Sequence, residues 1–439
     1  EEFYSPEEAV EKILTKNLFG LDLDDRAAQL ATFAILLKAS KVYRDVWSKG
    51  WKPHVYAMPE STTFQRIELQ DFLGEKGFNY LDQLEDALRL MKQSKNLGSI
   101  MKLKLSDEAR TFIEQRFTQL QSSGYKEMNE ELVLDKIKTF IPVLLLLTKK
   151  YASVVANPPY MGQKSMNGEL KQYVNAHYPL TKSDLFAVFM DQMIEMLCSK
   201  GRVGCITMES WMFLTSYEKF RVKLIDNYTI SGLAHFGWHI IGIAFGTATL
   251  ILEKAKASNL GEYSYLTIDD IDRDKNVPFE FPKKDNGRFA IIPQTNFSKI
   301  PGSPIAYWVS SRVIALFEES VLIGQLEHIK KGMDTGDNEY FLRKWFELEN
   351  TKIGRKRKWE VYDKGGSFRK WYGNIEFVVL WDNDGYELKS STANLRSRHL
   401  YFKESLTWNA LTGGGFSMRL SNYPSLFDSA GSSLFLNNG

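Results

Sequence analysis

Short apolar runs alternate with longer stretches of helical periodicity over the first 255 residues. Leu18-Phe19-Gly20-Leu21-Asp22-Leu23 predicts a short buried strand. Asp25-Arg26-Ala27-Ala28-Gln29-Leu30-Ala31 then opens a helix running to about Val46. Strand, acidic end and helix together make half of a doubly wound α/β unit. His54 to Ala57 predicts another strand, and residues from about 65 to 150 show the 3.6 spacing and charge density of a helical insertion. Ala152 to Ala156 is a short, largely apolar run, the pattern of a central parallel strand. A helix over about Ser183–Cys198 and a strand over Arg202–Met208 come next. Then come a helix over Tyr217–Asp226 and strands over Ile230–His235 and Thr247–Leu252. This alternation predicts an α/β, Rossmann-like core with a mostly parallel sheet.

Past Lys256 the pattern changes to short strands, frequent turns and dense aromatic residues. The expected organisation is a core over 1–255 with its insertion at about 65–150, a connecting segment over 256–320, and a mixed, β-rich domain over 321–439. A length of 439 residues agrees with two or three domains. Asn227 to Leu252 carries no Asp, Glu, Lys or Arg, but Gly232, Gly237, Gly242 and Gly246 interrupt it. It reads as two buried strands around a Gly-rich loop rather than a membrane span.

Composition changes this picture little: 44% hydrophobic and 25% charged is ordinary for a globular protein. The net charge of +2 does not advertise a nucleic-acid partner, yet it is unevenly spread. Arg343 to Lys370 holds ten Lys/Arg and four Asp/Glu, 10 − 4 = +6, with Arg355-Lys356-Arg357-Lys358 as the sharpest cluster. Trp345, Trp359, Phe368, Trp371 and Tyr372 interleave with it. Cations neutralise phosphates and aromatic rings stack or wedge, so Lys344, Arg355, Lys356, Arg357, Lys358, Arg369 and Lys370 are candidate DNA contacts. A solvated basic face is the plainer alternative. The two cysteines, Cys198 and Cys205, lack metal-type spacing and fit a reducing cytoplasm. His235 and His239 stand four apart but lack a third ligand, so no metal is expected.

The sharpest chemistry is Asn157-Pro158-Pro159-Tyr160, at the end of an apolar strand. Methylating an exocyclic amine is difficult because its lone pair is delocalised into the ring. Acceptors must hold the two N–H groups so that the lone pair turns toward the methyl donor. The Asn157 side chain and the Pro158 carbonyl would be such acceptors. The prolines fix φ and hold the preceding residue extended, so both acceptors are pre-organised for the charge building on nitrogen. Tyr160 offers a ring face, and a base in a duplex must be flipped out to reach it. The plainer alternative is a strand-ending turn, because Asn-Pro is a common turn starter.

In motif order the chain resembles the gamma-class amino-methyltransferases. Within them it resembles the PglX-like adenine-specific DNA methyltransferases of type 1 BREX phage-defence systems. The likeness rests on Asn17 to Asp24 with Arg26-Ala27, Asn96-Leu97-Gly98-Ser99, Ala156 to Gly162, Lys182 to Phe186, and Trp408-Asn409 with Gly415-Phe416 to Arg419. It implies S-adenosylmethionine as cofactor, with Asp22 holding the ribose hydroxyls beside Leu23. A carboxylate suits a diol, although an acidic residue there would also favour a helix N-terminus. Gly98 would lie near the cofactor adenine, where the family commonly has an acidic side chain; here Gly98 could equally be a turn. Asp184 would lie near the methionine moiety or target base, or serve as an ordinary N-cap. Phe245 would be the second aromatic around the flipped adenine, or a core residue. Lys330 to Asn338 resembles the Gly-Thr-Gly-Asn loops that open target-recognition domains.

One departure stands out. The family's Gly-rich first motif should precede Asp22, but residues 1–17 contain no glycine, and Ser5-Pro6-Glu7-Glu8 reads as a helix start. Gly413-Gly414-Gly415 lacks the strand–turn–helix context. The expectation is a fragment lacking the first cofactor motif, with a truncated recognition domain, that binds the cofactor poorly and is inactive alone. The parent is expected to be a site-specific DNA adenine N6-methyltransferase in host DNA modification and phage defence. Its partners would be double-stranded DNA with a flipped adenine and other phage-defence proteins. A non-catalytic DNA-recognition module and a protein-glutamine N5-methyltransferase are the alternatives.

Overall fold

Asp24 stops the first strand and starts the first long helix. Its carboxylate accepts from the N–H groups of Arg26 (2.6 Å) and Ala27 (3.3 Å), satisfying donors that a helix start leaves open. The helix Asp25–Ser40 joins β1 (Phe19–Asp22) to β2 (His54–Ala57), which pair in parallel with Phe19 opposite His54 and Asp22 opposite Ala57. It ends short of Val46, which lies in a separate 3-10 turn, Arg44–Trp47. Ser5 and Glu8 form a reciprocal capping box at the head of Pro6–Lys12. The structure, a computed structural model, describes all residues except 1, 2, 125, 126, 257–259, 273, 276, 321–328, 411–414 and 436–439; Gly413 and Gly414 therefore lie outside it.

The main sheet has six strands in the order β8-β7-β5-β6-β4-β3. They are β3 (Tyr151–Ala156), β4 (Leu197–Met208), β5 (Thr229–Phe236), β6 (Thr247–Glu253), β7 (Leu260–Leu266) and β8 (Phe289–Pro293). Strands β3, β4, β5 and β7 run in one direction, and β6 and β8 run against them. Four carboxyl ends thus share one edge of the sheet, the edge where open α/β sheets collect ligands. The uncharged stretch Asn227 to Leu252 lies mostly in β5 and β6, and no described helix is long and apolar enough to cross a membrane.

The stretch 256–320, read from sequence as a connection, supplies β7 and β8 to this sheet. Its strands were hard to read because β7 alternates exposed Leu260 and Glu262 with buried Gly261 and Tyr263, and turns separate it from β8. The chain divides into two compact units, Glu1–Glu318 and Glu319–Gly439.

The insertion is helical, with Arg66–Leu73, Leu81–Met91, Asp107–Ser122, Met128–Ile137 and Phe140–Thr148. Phe72, Leu84, Met91, Ile113, Ile137 and Leu144 interlock in one core there, each worth about 1.5–3 kcal/mol on burial. A second core joins the sheet to helix Leu185–Glu195 through Phe186, Met190, Val203, Leu250 and Tyr263. That helix buries Asp191, whose carboxylate is met by Lys223 at 2.5 Å. An unpaired charge there would be costly.

The second unit is β-rich. One four-stranded sheet runs Ile329–Lys331, Gly431–Phe435, Ser405–Asn409, Arg419–Ser421. The other runs Leu342–Lys344, Phe377–Leu380, Trp359–Asp363, Leu426–Phe427. Met333, Tyr362, Val379 and Leu426 centre its core.

Candidate active site

Strand β3 delivers Asn157 to the carboxyl edge of the sheet. Pro158 is buried, while Asn157 is exposed. The Asn157 amide makes no hydrogen bond to any described residue, so its acceptor is available. Tyr160 is half-buried. Its ring meets Phe186 edge-on (6.3 Å, 76°) and Phe245 edge-on (5.6 Å, 75°). Its hydroxyl is buried without a partner among the described residues, and burial raises its pKa above the ordinary phenol value. Phe245 is thus placed beside Tyr160, from the loop between β5 and β6, but as an edge-to-face neighbour rather than the far side of a parallel sandwich.

Asp184 holds this loop in place. Its Oδ1 accepts from the Met161 N–H (3.0 Å) and the Phe186 N–H (3.3 Å), while the Leu185 N–H donates back to the Met161 carbonyl (3.0 Å). Asp184 therefore caps helix Leu185–Glu195 and also ties down the residue after Tyr160. Burial raises its pKa; the N–H groups of Phe186, Met161 and Leu185 pull the other way. The cap reading of Asp184 is the one the structure shows, extended by its hold on Met161.

Of the residues expected on the cofactor side, Asp22, Leu23 and the segment ending on Gly98 lie near the carboxyl ends of β1 and β2, while Asp184 lies with Met161 and Phe186. Asp22 is exposed, and its Oδ1 accepts only the Asp24 N–H (2.9 Å) among the described residues, leaving Oδ2 for an incoming donor. The Leu23 carbonyl accepts from Lys95 Nζ (3.0 Å). The short helix Ser94–Leu97 ends on Gly98, whose φ of +57° is the left-handed conformation glycine adopts freely. Gly98 thus serves as the turn, and Ser94 Oγ donates to the Pro59 carbonyl (2.6 Å) to dock this helix behind β2.

Two further contacts escaped the sequence reading. Asn167 donates to Asn96 (2.7 Å) and caps helix Gly168–His177, so the segment after the tetrapeptide touches the segment before Gly98. Glu209, just past β4, meets His235 Nε2 at 2.5 Å, and His235 Nδ1 lies 3.1 Å from the Tyr307 hydroxyl. No local pattern links these partners, which stand 26 and 72 residues apart. No group of His, Cys, Asp and Glu able to hold a metal occurs among the described residues.

In the second unit, Arg355, Lys356, Arg357, Lys358, Arg369 and Lys370 are exposed and Lys344 is partly so. Trp345, Phe368, Trp371 and Tyr372 are exposed among them. Trp359 differs: it is buried in the unit's core, facing inward from its strand. The Arg355 guanidinium lies 3.5 Å over the Phe402 ring and 3.4 Å from buried Glu360. Arg357 donates to the Thr351 carbonyl.

The chain matches the Eco57I restriction-modification methylase family over residues 16–240. It is 34% identical, over 99% of its length, to the adenine-specific methyltransferase PglX of Lacticaseibacillus casei (strain Zhang). It is 35% identical, again over 99%, to the adenine-specific methyltransferase BrxX of Escherichia coli O9:H4 (strain HS). The chain spans 38% of the length of each of these relatives. Among solved structures, the ATP-dependent Type ISP restriction-modification enzyme LlaBIII bound to DNA aligns with 98% of this chain and 34% of its own, at 12% identity and a TM-score of 0.44.

Proposed function

The chain belongs to the Eco57I restriction-modification methylase family, and on that premise we propose that it works in site-specific methylation of adenine N6 in DNA. The setting is cytoplasmic host DNA modification and phage defence, alongside other defence proteins, as the sequence resemblance implies. The carrying observation is the exposed Asn157 amide at the carboxyl end of β3, without a hydrogen-bond partner among the described residues, with Tyr160 following in the same loop.

In this reading the Asn157 Oδ1 and the Pro158 carbonyl accept the two N–H groups of a flipped adenine. The prolines and the strand end hold the Pro158 carbonyl and the Asn157 backbone still, so the backbone acceptor meets developing positive charge without reorganising, and the free Asn157 side chain closes on the base. Tyr160 stacks the base, with Phe245 beside it, offsetting part of the cost of flipping. Asp184 acts through the Met161 N–H, keeping Tyr160 at the right depth. S-adenosylmethionine, when bound, supplies the electrophilic methyl group. Asp22, with one carboxylate oxygen unclaimed, fits its ribose diol, with Leu23 and Gly98 alongside. The exposed basic and aromatic residues of the second unit, Lys344 to Lys370, would hold DNA phosphates.

Labelled methyl transfer to DNA tests this, comparing the parent protein with its Asn157→Ala variant. The expected loss is about 100-fold or more, the scale seen when one pre-organised charge-stabilising group is removed. The thermal midpoint should hold, because the side chain is exposed and unbonded. An unsubstituted protein that methylates no DNA overturns the proposal.

A further inference from the structure

A cavity of about 630 Å³ opens at the carboxyl edge of β4, β5 and β7. His235 of β5 and Tyr265 of β7, paired in register, form its floor (ring centroids 4.9 Å apart). Trp308 and Phe213 stand over it at 6.2 and 6.4 Å from the His235 ring, and both are exposed enough for a ligand to reach. Glu209 and Tyr307 grip the two nitrogens of His235, so the floor is rigid.

A cationic side chain joins this aromatic lining. Arg288 is anchored through Nη2 on Asp270 (2.8 and 2.7 Å), while its Nε is buried with no partner among the described residues. Flat rings beside a planar guanidinium match a nucleobase, whose faces are apolar and whose edge carries acceptors. The volume has room for the attached sugar and phosphate.

Position narrows the occupant. The floor strand β5 lies three strand spacings from β3, about 14 Å at about 4.8 Å each, and on the same edge as Asn157. The Glu209 N–H also donates to the Gly246 carbonyl (3.1 Å), next to Phe245. Resting on the DNA-methyltransferase reading for the source of the base, we infer that this cavity takes a second, unstacked nucleobase of the bound DNA, a few nucleotides from the target adenine.

The test uses the chain carrying fluorine-labelled tryptophan, with the Trp308 resonance identified by Trp308→Phe. The probes are dAMP and deoxyribose phosphate. The dAMP titration should move the Trp308 signal saturably, and deoxyribose phosphate should not. Phe213→Ala should weaken dAMP about tenfold, the scale of one lost base stack, and Arg288→Gln should also weaken it. Phe213 is exposed, so its removal leaves the fold intact even if Arg288→Gln disturbs Asp270. Asn157→Ala should leave the Trp308 response unchanged, because that change touches only the target side. Thus DNA methylation can fail while this response persists, which sinks the enzymatic reading and keeps a nucleobase pocket. An unresponsive Trp308, an equal response to deoxyribose phosphate, or unweakened binding in Phe213→Ala overturns the inference.

Discussion

Tyr160 carries two separable features, a ring at the candidate site and a hydroxyl buried without a partner among the described residues. A ring-only role predicts that Tyr160→Phe retains methyl transfer within about threefold. It should also leave stability unchanged or slightly raised, since deleting an unsatisfied buried polar group removes a cost of about 1–3 kcal/mol. Tyr160→Ala should lose the base stack, about 1–3 kcal/mol in binding. Steady-state transfer rates and thermal melts of both variants check this. A Tyr160→Phe variant as inactive as Tyr160→Ala would show that the hydroxyl matters. At this scale the sequence was informative where chemistry is local: Asn157, Pro158 and Asp22 stand where their neighbours implied. It was silent on Glu209 with His235 and on the orphan Nε of Arg288, because those depend on strands adjacent in space but distant in the chain.

Asp184 belongs to the scale of the element, because it starts a helix and fastens a loop together. Burial raises its pKa, so the folded state favours the protonated form relative to the unfolded chain. Below the ordinary carboxylate range both states are protonated and the group contributes nothing. Stability is then lost as pH rises from that range through the raised value, and the full cost persists above it. Asp184→Asn keeps a capping oxygen and removes the charge. It should flatten the acid limb of the stability profile while holding or raising the midpoint at neutral pH. Asp184→Ala should instead cost about 1 kcal/mol from the lost cap, and more as the Met161 N–H loses its acceptor. Denaturant midpoints across the acid range distinguish the two; identical profiles for wild type and Asp184→Asn would refute the burial argument. Helix Leu185–Glu195 was legible from its apolar run; the strand before Asn157 was legible too, but it lies at the edge of the sheet rather than in its centre, with Val155 exposed. Strands β7 and β8 were not legible, since half-exposed strands that alternate over a few residues look like loop.

On the scale of the whole molecule, the division at residue 318 lies beside the start at 321 expected for the β-rich domain, while the stretch 256–320, expected to be a connection, belongs to the first unit because β7 and β8 complete its sheet. The basic stretch was equally visible, and the structure refines it by exposing the cations and burying Trp359. Exposure matters because phosphate binding releases counterions, and each contact adds about 0.9 to the slope of log affinity against log salt. Replacing Arg355, Lys356, Arg357 and Lys358 by Gln removes at most four contacts, a slope change of about 3.6. Arg355 already leans on Phe402 and Glu360, and Arg357 on the Thr351 carbonyl. These engagements should reduce the observed change to about 2. DNA binding by the parent protein, titrated across salt concentrations, reads this directly. Asn157→Ala should leave the slope untouched, because its role is played at the base. A quadruple variant with an unchanged slope would mean that this face is merely solvated, and that DNA is gripped elsewhere.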